Sequence, residues 1–118
     1  MSKVFDHEGS LLRMGNDHEL FHEMVQLLRA DAPPLLADVH SAHREGDPQR
    51  LQRAAHTLKG LAANFGAERA VAAAAEVEKL AKARQSAGLP AAITRLDESL
   101  DELAAALAPT LEVSRAHS

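Results

Sequence analysis

The sequence lacks cysteine, tryptophan and tyrosine, and only 3% of its 118 residues are aromatic. Without cysteine the chain has no disulfide framework and no thiolate chemistry, which is compatible with a reducing cytoplasm. Few aromatic residues beside abundant alanine and leucine favour close-packed helices over a sheet. No apolar run approaches the about 20 residues of a membrane-spanning helix, and the opening MSKVFDHEGS lacks signal-peptide character. We therefore expect an all-helical, cytoplasmic chain.

Basic residues are outnumbered by acidic ones: the chain has 13 Lys and Arg residues and 17 Asp and Glu residues, which gives a formal net charge of −4. This balance argues against non-specific nucleic-acid binding, which needs a basic face. A length of 118 residues suits one domain with a real core but not two. No repeat or linker divides the chain, so we predict a single domain over residues 1–118, with its core at about 4–108 and a tail at 109–118.

Five helices are predicted from apolar periodicity and from residues that begin or end helices. Their ranges are about 5–14, 18–45, 48–64, 67–86 and 91–107. Asp6, Asp17 and Asp47 are the expected N-caps of the first three helices. Gly46 and Gly66 are the expected terminators of the second and third.

Prolines and apolar stripes give further expectations about these helices. Pro33 and Pro34 should kink or briefly break the second helix at Ala32–Pro34, since proline removes a backbone donor and disfavours helix in the preceding residue. Pro109 should end the last helix. The apolar faces of the first two helices should include Leu11, Leu12, Met14, Leu20, Phe21, Met24, Val25, Leu27 and Leu28. The inward face of the fourth helix is so rich in alanine that it should approach the third closely.

The stretch Ala54–Gly66, AAHTLKGLAANFG, contains the clearest functional signal. Its apolar residues recur at the spacing of a buried helical stripe, and His56 lies off that stripe. The strip that holds His56 also holds Gln52, Lys59, Gly60 and Ala63. Because a mid-helix glycine costs about 1 kcal/mol relative to alanine, Gly60 indicates that something approaches the backbone closely beside His56.

These residue types suit phosphoryl transfer through an imidazole. Histidine is the side chain whose unperturbed pKa leaves a neutral, nucleophilic ring nitrogen at about pH 7. A phosphoryl group on that nitrogen carries negative charge, which Lys59 one turn on can meet, while Gly60 and Ala63 leave clearance. The sequence offers neither a phosphate-cradling glycine-rich loop nor a carboxylate cluster for magnesium. We therefore expect no autonomous kinase activity, and donor and acceptor must supply the remaining chemistry.

The segment AAHTLKGLAANFGA resembles the signature of histidine-containing phosphotransfer (HPt) domains of multistep two-component signalling. That signature is H-x-L-K-G with a second glycine six residues on. The resemblance extends over roughly residues 4–108, through the opening FDHEGSLLRMGNDHELFHEMVQLLRADAPPLLADVHSAHREGD and the later AEVEKL. It implies an antiparallel four-helix bundle, here with a short extra N-terminal helix, and a histidine exposed midway along one helix.

The resemblance also implies roles for individual residues. His56 matches the phosphoaccepting histidine, Lys59 the adjacent lysine that stabilises phosphate charge, and Gly60 the glycine that lets an acceptor domain close over the imidazole. Glu78 matches a position where relatives carry Gln or Glu and where the side chain can orient the imidazole. A carboxylate there would favour an N–H on the nitrogen that faces it. The residues expected to contact the partner are Gln52, Ala63 and Lys82.

The implied partners are receiver domains of a hybrid sensor kinase, of a response regulator, or of both. The chain would carry a phosphoryl group on His56 between receiver aspartates, with no cofactor of its own and with Mg²⁺ held by the partner receiver. We expect a monomer that neither binds nucleic acid nor inserts into a membrane. The sequence is compatible both with a separate protein and with the C-terminal domain of a membrane-bound hybrid sensor kinase.

Two other functions are compatible with the sequence. An HPt-like bundle could dock a signalling partner without being phosphorylated. Alternatively, His18 and His22 in HELFH match H-E-x-x-H, which presents two imidazoles to zinc and a glutamate as general base. Against zinc stand the small helical chain, the ease of such a match among seven histidines, and the lack of a third ligand better than Glu45. His40 and His43, one turn apart, could bind a stray metal.

Overall fold

The computed structural model describes residues 4–116, and these form five α-helices and no strand. The helices are α1 (His7–Arg13), α2 (His18–Glu45), α3 (Pro48–Ala63), α4 (Glu68–Lys82) and α5 (Leu89–Ala116). α2 and α4 each pack against both α3 and α5, so the four long helices close around one core. Because short loops join them, sequence neighbours run antiparallel. The predicted four-helix bundle with a short N-terminal helix is confirmed.

The core of the bundle consists of aliphatic side chains and one aromatic pair. Phe21 and Phe65 meet edge to face with ring centroids 5.8 Å apart, a favourable geometry for aromatic rings. On α4 the buried face is mostly alanine and comprises Ala70, Ala73, Ala74, Val77 and Ala81. Small side chains let helix axes approach, and α4 makes its most extensive contact with α3. This pairing brings side chains of α4 within reach of the outer face of α3.

Aspartate N-caps begin the first three helices, as predicted. The side chains of Asp6, Asp17 and Asp47 each accept a hydrogen bond from the backbone N–H three residues on, at 3.0, 3.0 and 3.2 Å. A cap of this kind contributes about 1 kcal/mol to helix stability. Gly46 ends α2 in the left-handed conformation at φ 66°, and Gly66 follows α3 at φ 59°.

Of the kink or short break predicted at Ala32–Pro34, the break is wrong, because α2 is one continuous helix of 28 residues. Both prolines lie on the exposed side of α2, where water can hydrate the carbonyls that they leave unpaired. Buried Leu28 and Val39 hold the helix against the core on either side. Packing on both flanks therefore overrides the local preference of the two prolines.

The predicted end of the last helix is also wrong. α5 continues past Leu107 and through Pro109 to Ala116. Pro109 is exposed like the prolines of α2, while Leu103 and Leu107 are fully buried just before it. Residues 117 and 118 of the predicted tail lie outside the described residues.

α4 ends at Lys82, four residues before the predicted Ser86. Arg84 adopts a left-handed conformation with φ 56°. Its N–H donates to the carbonyl of Ala81 at 3.1 Å, and the next N–H donates to the carbonyl of Leu80 at 2.9 Å. This is the hydrogen-bond pattern that closes a helix at a left-handed residue. Because that residue is arginine rather than glycine, the sequence gives no signal for it.

Three leucines predicted on apolar faces are instead exposed: Leu12, Leu20 and Leu27. α1 is only seven residues long, and it buries Ser10 rather than Leu12. The Ser10 hydroxyl donates to the backbone carbonyl of Asp6 at 2.5 Å. Because Leu20 and Leu27 are exposed, the apolar stripe of α2 is narrower than predicted. Within residues 4–116, no helix has both the length and the apolar character to cross a membrane.

Candidate functional site

His56 lies near the middle of α3 on the side that faces solvent. The helix buries Leu51, Ala54, Ala55, Leu58 and Ala62. His56 falls between these positions, and its side chain is 67% exposed. The off-stripe position read from the sequence thus corresponds to an imidazole that a second protein could reach.

Glu78 on α4 connects His56 to Lys59. Its Oε2 lies 2.7 Å from Nδ1 of His56, and its Oε1 accepts a hydrogen bond from Nζ of Lys59 at 2.6 Å. The Glu78 side chain is only 18% exposed, whereas the side chains of His56 and Lys59 are 67% and 32% exposed, so Glu78 is the least exposed of the three. The structure therefore brings these three predicted site residues together.

The charge of Glu78 is stabilised by its two partners. The Lys59 ammonium lowers the pKa of the Glu78 carboxyl most strongly, His56 lowers it further, and burial opposes both. An ionised carboxylate can only accept hydrogen bonds, so the proton in its contact with the imidazole belongs to Nδ1. Nε2 has no hydrogen-bond partner among the described residues. Its lone pair is consequently available on the exposed side of the ring.

Gly60 has no neighbour that would require a glycine. A Cβ added there would meet nothing within 4 Å, and the backbone has no positive φ. Mid-helix glycine lowers helix stability by about 1 kcal/mol relative to alanine, and no contact within the described chain offsets that cost. Ala63, one turn further along α3, is also exposed. The backbone of α3 beside His56 is therefore bare.

A shallow depression lies between the outer faces of α3 and α4 on this side of the bundle. Two alanines and five longer side chains line it; the longer ones are Gln52, Lys59, Glu78, Lys79 and Lys82. The structure thus brings the predicted partner-binding residues Gln52 and Lys82 to the depression, whereas Ala63 is not among its lining residues. Lys79 was missed by sequence reasoning. Its spacing of three residues from Lys82 on one helix was the available signal.

The remaining histidines of interest lie on α2. His22 Nε2 is 3.4 Å from the Gln26 side-chain nitrogen, and His40 Nε2 is 2.9 Å from a carboxylate oxygen of Asp97 on α5. His18 is exposed at the start of α2. Over residues 4–116, no group of three or more His, Cys, Asp or Glu side chains is placed to hold a metal ion. The HELFH pair therefore lacks the third protein ligand of a zinc site.

Comparison with known proteins agrees with this geometry. Residues 23–106 match the family model of the Hpt domain, and the chain belongs to that family. The predicted resemblance is confirmed. Membership supports histidine phosphotransfer in phosphorelays, with receiver domains as partners. α1 precedes the matched residues.

The fold is similar to the crystal structure of histidine-containing phosphotransfer protein B (HptB) from Pseudomonas aeruginosa PAO1. The TM-score is 0.83 at 19% sequence identity, and the match covers 100% of this chain and 99% of that chain. At this identity the similarity concerns the fold. None of the curated proteins matches the sequence significantly.

Proposed function

We propose that this chain carries a phosphoryl group on Nε2 of His56 between aspartates of receiver domains in a two-component phosphorelay. The observation that supports this proposal most directly is the orientation of the imidazole. Nδ1 is held by Glu78 at 2.7 Å, while the side chain as a whole is 67% exposed. One ring nitrogen is thus fixed as a donor, and the other faces an incoming phosphoryl group.

The transfer needs one bond to form and one to break. The Nε2 lone pair attacks the phosphorus of the acyl phosphate on a receiver aspartate, and the P–O bond to that aspartate breaks as its carboxylate leaves. The proton on Nδ1 remains there, so the phosphorylated ring becomes cationic. The Glu78 carboxylate 2.7 Å from Nδ1 offsets that charge. Attack by a second receiver carboxylate reverses these changes.

The other site residues act on charge and access. Lys59 holds its ammonium one turn from His56, and it can shift from Glu78 toward the phosphoryl oxygens. Gly60 leaves the helix backbone open to a receiver, since a Cβ there has free space. Gln52, Ala63 and Lys82 contact the receiver around the imidazole, and the receiver supplies the Mg²⁺ that phosphoryl transfer uses.

The proposal is tested by incubating the protein with phosphorylated receivers encoded in the same genome. The label should become acid-labile and alkali-stable, as expected of a phosphoimidazole, and should vanish in His56→Gln. His18→Gln is the matched control, because His18 is exposed on a different helix, and it should keep the label. Label that persists in His56→Gln, or that mass analysis places on another residue, would refute the proposal.

The same variant tests the alternative of a docking module. A module that only docks would keep both its receiver binding and its cellular output in His56→Gln. A carrier would keep the binding and lose the output.

A further inference from the structure

The lysines of this chain are concentrated beside the proposed phosphoacceptor. The chain has four lysines, namely Lys3, Lys59, Lys79 and Lys82. The last three line the depression between α3 and α4 described above. This grouping occurs in a chain whose formal net charge is −4, so the depression is locally basic on an acidic protein.

Within the described part of the chain, Lys79 and Lys82 are cations without an anionic partner. Both are exposed, and neither belongs to any ion pair among the described residues. The one acidic residue that lines the depression is Glu78, whose carboxylate is already paired with Lys59 at 2.6 Å. The two lysines of α4 therefore add positive potential that nothing in the depression neutralises.

We propose that Lys79 and Lys82 form a basic docking patch that binds the acidic surface around the phosphorylated aspartate of a receiver domain. This inference rests on the proposed function, in which Lys82 already contacts the receiver, and it adds Lys79 and assigns both lysines to electrostatic association. The two side chains act on association, because oppositely charged surfaces steer encounter and fix the orientation of the partners. Two alanines also line the depression, and their short side chains leave room for a protein surface to contact both lysines.

Helix stabilisation gives a different account of the same lysines. Both lie in the last turn of α4, where a cation interacts favourably with the helix dipole by about 0.3–1 kcal/mol. That role would change the unfolding midpoint when the charge is reversed. It would not make transfer kinetics depend on salt.

The test is the double variant Lys79→Glu with Lys82→Glu, assayed for transfer from a phosphorylated receiver. We expect KM to rise by roughly 10-fold to 100-fold at low salt, in the range of electrostatic steering, while kcat stays within about twofold. At about 1 M salt, where the Debye length is about 3 Å, the difference should nearly vanish. Lys79→Gln with Lys82→Gln removes the charges without adding new ones and should raise KM less, which keeps the test available if the first variant folds poorly.

The matched control reverses two charges elsewhere. Arg29 on α2 and Arg95 on α5 are exposed, and neither belongs to an ion pair among the described residues. Arg29 lines a pocket between α2 and α5, and Arg95 lines one between α4 and α5, so neither lines the depression between α3 and α4. Arg29→Glu with Arg95→Glu changes the net charge equally and should leave KM within about twofold, since neither arginine lines the docking patch.

Three kinetic results would overturn the proposal, and one binding result would replace it. KM could stay unchanged in the Lys79 and Lys82 variants, or rise equally in the control, or kcat alone could fall. Binding of a duplex oligonucleotide that these variants abolish would assign the lysines to nucleic acid instead. Failure of the proposed function is distinguishable, because the unchanged chain would then accept no label on His56 from any receiver.

Discussion

Replacing Glu78 by glutamine should separate its two contacts. An amide oxygen can still accept the hydrogen bond from Nδ1 of His56, but it cannot form an ion pair with Lys59. The Lys59 side chain is 32% exposed, so the pair is partly screened and its loss should cost about 1 kcal/mol of unfolding free energy at about pH 7. Transfer should decline only modestly, because the ring keeps its orientation. Glu78→Ala removes both contacts and should slow transfer more.

The difference in unfolding free energy between the original protein and Glu78→Gln should depend on pH with a definite sign. Lys59 first and His56 second lower the pKa of Glu78 in the folded protein from its ordinary value of 4.5. A carboxyl whose folded pKa is lowered contributes stability above its unfolded pKa, and that contribution is lost as the pH falls through the folded value. The difference in unfolding free energy between the original protein and Glu78→Gln should therefore have its maximum value at neutral pH and decrease as the pH falls below 4.5.

Urea unfolding measured at a series of pH values tests this reasoning. Far-ultraviolet circular dichroism is the suitable signal, since the chain is helical and has no tryptophan or tyrosine. Glu98→Gln is the control, because Glu98 is exposed on α5 and should change stability by less than about 0.5 kcal/mol. The argument is refuted if Glu78→Gln matches the unchanged chain at neutral pH, or if their difference persists undiminished in acid.

Four further substitutions test α3 and the glycine that follows it. Gly60→Ala should stabilise the fold by up to about 1 kcal/mol, because the added Cβ has free space. Gly60→Gln introduces a longer side chain and should slow transfer at nearly unchanged stability. Normal transfer in Gly60→Gln would contradict the clearance role of Gly60. Gly66→Ala should instead destabilise by about 1–2 kcal/mol, since φ is 59° and the new Cβ would lie 2.9 Å from Cβ of Asp6; an unchanged urea midpoint would contradict this. Lys59→Ala should slow receiver-to-His56 transfer without abolishing it, and complete loss in a labelling time course would indicate a structural role.

The sequence by itself determined the features that depend on neighbouring residues. Asp6, Asp17 and Asp47 begin helices because a short carboxylate accepts from the backbone N–H three residues on. His56 could be placed on an outer face because the apolar stripe of α3 repeats at the helical period and excludes it. A mid-helix glycine at position 60 marked a place where the helix gives up stability. All of these signals act within about one or two turns of a helix.

Tertiary structure decided what depends on contacts between helices. The contact of Glu78 with His56 joins residues 22 positions apart, and it forms because the alanines of α4 let that helix lie close to α3. Packing also carried α2 through Pro33 and Pro34, although local preference favours a break there. The grouping of Lys59 with Lys79 and Lys82 likewise exists only once α3 and α4 lie side by side. Periodicity places a side chain on a face of its own helix, but only the packing of two helices determines which faces meet.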